Sequence, residues 1–249
     1  MQKILILGGT TEASHLARHL ADCGTNAIFS YAGRTNAPRS QPLPTRVGGF
    51  GGVAGLVAYI HAEKITHIVD ATHPFAAQMS QNALLAVAQT RTPLISFERA
   101  PWAAKTGDNW QHVADYPGVL KALGETAQRV FLAIGKQNID LFATAPQHHY
   151  LLRLVDPPES IIPLPSHTVE IAAGPFDLAG DLALLKRHHI DVIVTKNAGG
   201  IGARAKLDAA RDLGLRVIVM DRPPLMGRQI MQSQQDVLAW LHQDAAQSF

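Results

Sequence analysis

The chain has 249 residues, 47 % of them hydrophobic, and a formal net charge of +2. That is apolar material for one large domain or two small ones, with no overall field to draw in nucleic acid or a membrane surface. The single cysteine, Cys23, excludes a disulfide framework, no apolar run reaches membrane-spanning length, and no basic–apolar leader opens the sequence, so a soluble cytoplasmic protein is expected.

Ile4 to Leu7 is a short apolar run, the pattern of a buried parallel strand. Gly8 and Gly9 end it. Thr10 and Thr11 then offer N-cap oxygens to a helix with Ala13, Leu16, Ala17 and Leu20 on one face. A glycine turn that feeds a helix N-terminus exposes N–H groups and carries partial positive charge, the usual seat of a dinucleotide pyrophosphate. The pattern departs from the three-glycine fingerprint. Gly8 and Gly9 are adjacent, and Glu12 stands in the first helical turn, where it competes with a phosphate. A βα unit that uses glycine only for a tight turn has the same residues.

Ala27 to Tyr31 is the second strand. An acid at its end would bind a ribose 2′-hydroxyl and select NAD. Here Tyr31-Ala32-Gly33-Arg34 follows, and the next acid is Glu63. Arg34 suits a 2′-phosphate, which favours NADP, and it equally suits a solvated loop. Residues 35–46 read as a proline-rich loop. Arg46-Val47-Gly48-Gly49-Phe50-Gly51-Gly52 then sets four glycines around one aromatic, which neither a packed helix nor a central strand uses. It reads as a second ligand-facing loop before a helix over 53–62, with Phe50 packing against a ring.

Thr66 to Asp70 is the next buried strand and runs into Ala71-Thr72-His73-Pro74-Phe75-Ala76. Pro74 is expected as the first residue of a helix to Ala88, with Met79, Ala83, Leu84 and Val87 inward. Asp70, Thr72 and His73 then share the C-terminal end of a parallel strand, where α/β sheets bind ligands. Pro93 to Arg99 is a fourth strand. The irregular stretch 100–109 marks a domain boundary.

The second half repeats the layout. Helices are expected over 119–128, 176–188, 203–213 and 236–244, with a short helical piece ending at Phe142. Strands are expected over 130–134, 150–155, 168–172, 191–195 and 216–220. The strand tips carry Gly135-Lys136, Arg153, Thr195-Lys196-Asn197 and Asp221-Arg222. The expectation is therefore α/β, with two Rossmann-like domains (1–99 and 100–249), parallel sheets and a cleft between them, the last helix packing back on the first domain. Lys136, Lys196 and Arg222 at three separate strand ends suit a substrate bearing carboxylates or phosphates.

Several chemistries lack their residues. His15 and His19 are four apart on a predicted helix without the glutamate of an H-E-x-x-H pattern, so no metal is expected. There is no P-loop and no serine nucleophile elbow. Cys23 has no evident activating partner. No tyrosine has a lysine four residues on.

The stretches LILGGTTEA (Leu5 to Ala13), YAGR (Tyr31 to Arg34), RVGGFGG (Arg46 to Gly52), DATHPFA (Asp70 to Ala76), TKNAGG (Thr195 to Gly200), KLDAA (Lys206 to Ala210) and Arg222-Pro223 together resemble the precorrin-6A reductase family of cobalamin biosynthesis. The resemblance implies a two-domain Rossmann-like fold with NADPH in the cleft. It implies reduction of one double bond of the precorrin-6A macrocycle, an anionic tetrapyrrole, to precorrin-6B. The family's anaerobic branch takes the cobalt-bearing substrate. The residue pattern fits this reading: Gly8, Gly9, Thr10 and Thr11 are assigned to the pyrophosphate, Arg34 to the 2′-phosphate, and Gly49, Phe50, Gly51, Asp70 and Thr72 to the cofactor. Lys136, Arg153, Asn197, Lys206 and Arg222 are the candidates for the substrate. His73, Lys196 or water supplies the proton. Two other classes stay open: another NADP-dependent reductase or epimerase, and a non-enzymatic NADP sensor.

Overall fold

The computed structural model describes residues 2–33, 39–225 and 227–246. In chain order the elements of the first hundred residues are β1 (Ile4–Leu7), α1 (Thr11–Asp22), β2 (Ala27–Tyr31), β3 (Thr45–Val47), α2 (Gly52–Ala62), β4 (His67–Asp70), α3 (Ala77–Thr90) and β5 (Leu94–Phe97). There follow β6 (Asn109–Val113), α4 (Tyr116–Leu123), β7 (Arg129–Ala133), a 3₁₀ turn over Asp140–Thr144, β8 (His149–Leu154) and β9 (His167–Ile171). The last are α5 (Leu178–Arg187), β10 (Val192–Lys196), α6 (Ala205–Asp212), β11 (Arg216–Met220), β12 (Ile230–Met231) and α7 (Gln234–Ala246). The chain divides into two compact units, Met1–Ala100 with Pro223–Phe249, and Pro101–Arg222.

Each unit is an α/β layer structure on a parallel sheet, the class the sequence predicts. The first sheet has the order β12-β5-β4-β1-β2-β3 and the second β6-β11-β10-β7-β8-β9. In the first, β1 lies between β2 and β4, with Leu7 opposite Ser30 on one side and Asp70 on the other. The chain leaves β1 in one direction and later crosses to its other side, so β1 is the switch point where such sheets open a crevice at their C-terminal edge. Burial on both faces explains its unbroken apolar run. Ile4 and Ile6 pack with Ala13, Leu16, Ala17 and Leu20 of α1 and with Val237 and Leu241 of α7. Leu5 and Leu7 pack with Leu56 and Ile60 of α2 and with Ala83 and Ala86 of α3. In the second unit β10 is central, and Val192, Ile193, Val194 and Thr195 are all buried.

Several boundaries differ from the sequence expectation, each for a local reason. Helix α3 begins at Ala77, not Pro74. Phe75 N donates to His73 Nδ1 (3.2 Å) and Ala76 N to His73 O (2.7 Å), which closes a turn before the helix starts. Its fully buried positions are Ser80, Ala83 and Ala86, Met79 and Val87 pack against the same core as expected, and Leu84 is only half-buried. Helix α4 starts at Tyr116 because Asp115 caps it, accepting from Gly118 N at 2.8 Å, and it stops before Gly124 at φ 73°. Strands β3, β6 and β12 were not expected. They are the short or polar strands at sheet edges, where one face and one row of backbone groups stay open.

Candidate functional site

The first constellation lies at the C-terminal edge of β1, β2 and β4. Gly8 N donates to Ser30 O and Ala71 N to Leu7 O, both at 2.9 Å, so the three strand ends are tied together. A methyl group at Gly8 would overlap the Phe29 ring, so this glycine is required by packing. Gly9 is required by conformation, with φ 125°, and nothing lies within 4 Å of where its side chain would stand. Thr10 caps α1: its Oγ1 accepts from Ala13 N (3.1 Å) and donates to Ala71 O (2.9 Å), which commits the hydroxyl proton and fixes the side chain. Thr11 opens the helix and is exposed. Glu12 in the same turn is not a bare charge. Arg99 Nη1 donates to its Oε2 at 3.0 Å. Sequence reasoning missed Arg99, and a lone acid in the first turn of an anion-binding helix is the signal that could have found it.

Asp70 ends β4 and is buried. Its Oδ1 accepts from Thr72 N (3.2 Å) and Thr72 Oγ1 (2.7 Å), and the Thr72 hydroxyl lies 3.3 Å from Ser80 Oγ. The Asp70–Thr72 pair thus shapes the turn that presents His73. Because His73 Nδ1 accepts from Phe75 N, its neutral ring carries the proton on Nε2. Across β1, the glycine loop is joined to β2 by Gly48 N donating to Tyr31 O at 2.9 Å. Gly49 and Gly51 have open space where side chains would be. Phe50 is half-buried, against Arg46 and Tyr59. Arg34 lies outside the described residues. The structure thus brings Gly8, Gly9, Thr10, Asp70 and Thr72 to one sheet edge, with the 48–52 loop at the neighbouring end of β2.

The second constellation surrounds the tip of β10. Asn197 is buried, and its amide clamps one backbone: Oδ1 accepts from Trp102 N (2.7 Å) and Nδ2 donates to Trp102 O (3.1 Å). The Trp102 indole N–H donates to Gly200 O at 2.6 Å. Arg222 donates from Nε to Asn197 O (3.0 Å) and from Nη2 to Ala198 O (3.1 Å). Lys206 is buried with Nζ donating to Ala203 O at 2.5 Å, 4.8 Å from the Trp102 ring centre. Burial, and then the nearby Arg153 charge, push its ammonium down to about 7, while Asp181 opposes them. Arg153 donates to Asp181 Oδ1 at 2.5 Å, with its guanidinium 3.6 Å from the Phe176 ring centre. Asn197, Lys206 and Arg222 therefore meet around one tip, Arg153 lies in the field of Lys206, and Lys136 stands exposed beyond β7. Trp102 and Asp181 were missed. A carboxylate on the apolar stripe of α5, with Leu184 and Leu185, was the available signal for Asp181.

Among the described residues no group of three His, Cys, Asp or Glu is placed to hold a metal. No described helix is long and apolar enough to cross a membrane.

Residues 3–242 match the family described as Precorrin-6x reductase CbiJ/CobK. The chain belongs to this family. As a precorrin-6x reductase it is an oxidoreductase of cobalamin biosynthesis that acts on a CH–CH bond. It is 59 % identical to a precorrin-6A reductase of Rhodobacter capsulatus, over 97 % of this chain and 96 % of that one. A precorrin-6A reductase of a Sinorhizobium species is 49 % identical, over 88 % of this chain and 85 % of the relative. A cobalt-precorrin-6A reductase of Priestia megaterium is 31 % identical, over 89 % of this chain and 91 % of the relative. A solved structure titled CobK precorrin-6A reductase superposes with a TM-score of 0.94 at 59 % identity, covering 98 % of this chain and 97 % of that one.

Proposed function

We propose that this precorrin-6x reductase reduces one double bond of metal-free precorrin-6A to give precorrin-6B, with NADPH as the hydride source. The observation that carries the nucleotide half is the open backbone at Gly9, beside the N-terminus of α1 and at the switch point of the first sheet. The Glu12–Arg99 pair supports it, since the carboxylate no longer opposes a phosphate with a full charge. No acid ends β2, and Arg34 follows it in sequence, which favours the 2′-phosphate of NADPH. When bound, the nicotinamide supplies the hydride.

This chain's residues do the rest. Gly9, Thr10 and Thr11 offer backbone N–H groups to the pyrophosphate, while Gly8, whose N–H is spent on Ser30 O, ties the turn to β2. Gly49 and Gly51 admit close approach, and Asp70 and Thr72 hold the turn that aims His73. The macrocycle's carboxylates are met by Lys136, Lys196 and Arg222, while Arg153, Asn197 and Lys206 hold the second unit's strand tips in place. The proton added beside the reduced carbon comes from His73 Nε2–H or the Lys196 ammonium. The metal-free substrate is favoured because the more similar relatives carry the metal-free name. The lone cysteine fits a cytoplasmic site of action.

The test mixes purified protein, NADPH and precorrin-6A, following loss of nicotinamide absorbance and the gain of two hydrogens by the macrocycle. A parallel run with the cobalt-bearing macrocycle decides the branch. Protein that binds NADPH but neither binds the macrocycle nor oxidises NADPH with it would refute the reaction.

A further inference from the structure

One side chain shapes the loop that follows β3 and has no task in the reading above. Arg46 donates from Nη1 to Ser30 Oγ (2.8 Å) and to Gly48 O (2.9 Å), and from Nη2 to Gly49 O (3.0 Å). Its guanidinium carbon lies 3.8 Å from the centre of the Phe50 ring and 5.2 Å from that of Tyr59. The two rings meet edge to face at 5.2 Å. From the helix side, Phe50 is held by close approach: a methyl group at Gly55 would overlap its carbonyl oxygen. The loop is thus fixed through its carbonyls and its aromatic. At Gly48, Gly49, Gly51 and Gly52 nothing lies within 4 Å of a side-chain position, so the glycines stay open.

We propose that Arg46 is the positioning residue that holds this loop for the nucleotide. The inference rests on the nucleotide reading of the first unit and deepens it. Two carbonyl oxygens engaged by a guanidinium are two partial negative charges removed from the path of a phosphate. The planar fork matters as much as the charge, because three directed bonds and a ring stack fix one loop shape. A lysine supplies the charge without the fork or the plane. Such a residue acts on the loop and not on the 2′-phosphate, so its loss falls equally on NADPH and NADH.

The experiment is calorimetric titration of the full chain with NADPH and separately with NADH. The unaltered protein is compared with Arg46→Lys, Arg46→Met and Gly55→Ala. Gly55→Ala displaces the Phe50 carbonyl without touching the guanidinium, and it keeps the test open if Arg46→Met unfolds. Both arginine variants are expected to weaken both nucleotides by the same factor, on the order of tenfold or more. Gly55→Ala should do likewise, while binding of precorrin-6A alone stays unchanged in all three. Unaltered affinity in Arg46→Lys would overturn the inference, since charge alone would then suffice. Loss for NADPH only would overturn it too, by making Arg46 a 2′-phosphate ligand. If the unaltered protein binds neither nucleotide, the nucleotide reading fails and the inference with it. Normal binding by the unaltered protein and by Arg46→Lys sinks the inference alone.

Discussion

Lys206 offers a sharp physical test of the second unit. Its ammonium is buried beside Arg153, and its pKa falls from 10.5 to about 7 on folding. Between those values the unfolded chain holds the proton more tightly than the folded one, so stability rises with pH through that window. Below about 7 both states are protonated and the full penalty applies. Above the unfolded value it vanishes. Between about pH 7 and about pH 9 this one group should raise the stability of the folded state by about 2 kcal/mol. Lys206→Met keeps the aliphatic stem and removes the titration. Urea unfolding of both proteins at the two pH values, read by tryptophan fluorescence, isolates the effect, because Trp102 packs against Lys206. The stability difference between the two should shift by about 2 kcal/mol in favour of the lysine form on raising the pH. A difference that does not change with pH would show that Lys206 is not held as a desolvated amine, and the argument would fail.

Further expectations follow from other pairs. Glu98 and Arg228 are a buried ion pair that joins the segment before β12 to the end of β5, at 6 % and 8 % side-chain exposure. Glu98→Gln should cost about 3–5 kcal/mol by leaving a buried guanidinium without its counter-charge, and Glu98→Leu with Arg228→Met should recover much of that in thermal melts. Arg34→Ala should weaken NADPH binding by on the order of 1.5–3 kcal/mol and NADH binding far less. An equal loss for both would remove Arg34 from the 2′-phosphate. Replacing His73 by Gln or Lys196 by Met tests the proton source. The true donor's variant should lower kcat and flatten its pH profile at unchanged nucleotide affinity, whereas the other should leave the profile in place.

What the sequence made legible was whatever local pattern decides. Strand β1 is buried on both faces and reads as an unbroken apolar run, and β4 and β10 carry buried apolar stretches at Ile68-Val69 and Val192 to Val194 before their polar ends. Their C-terminal ends could be marked in advance because a parallel sheet collects its polar residues there. Strand β6, by contrast, alternates without an apolar face, and β12 has two residues, too few for any periodicity. The site divides the same way. Positions along a strand end are a local property, but the partners that define chemistry are not. Arg99 reaches Glu12 across 87 residues and Trp102 reaches Asn197 across 95. Nothing near Glu12 in the chain shows that its charge is countered, and nothing near Asn197 shows that its amide is engaged by another backbone. Charge and shape at Lys206 likewise arise only when α5, β8 and α6 are packed.

The departure of Gly8-Gly9-Thr10-Thr11-Glu12-Ala13 from the dinucleotide fingerprint has a physical account in these partners. The fingerprint uses one glycine for the turn, one for backbone approach to the pyrophosphate, and one for close packing of helix on strand. Here Gly8 meets the Phe29 ring, and Gly9 takes the φ of 125° that the turn demands. The place of the second spaced glycine is held by Thr10, whose hydroxyl is committed to Ala13 N and Ala71 O. A side chain tied into the helix cap and the β4 end is no longer loose bulk over the turn, so a threonine there is compatible with an approaching phosphate. Ala13 occupies the third place, fully buried, as a residue small enough for the helix to lie on the sheet. Glu12 is the one residue that remains adverse, and Arg99 answers it from the end of β5. The pair predicts its own hierarchy: Arg99→Met alone should weaken nucleotide binding, because it uncovers the carboxylate, and Glu12→Gln in the same protein should restore most of the loss. Failure of the second change to rescue the first would mean that Arg99 acts on the ligand directly and not through Glu12.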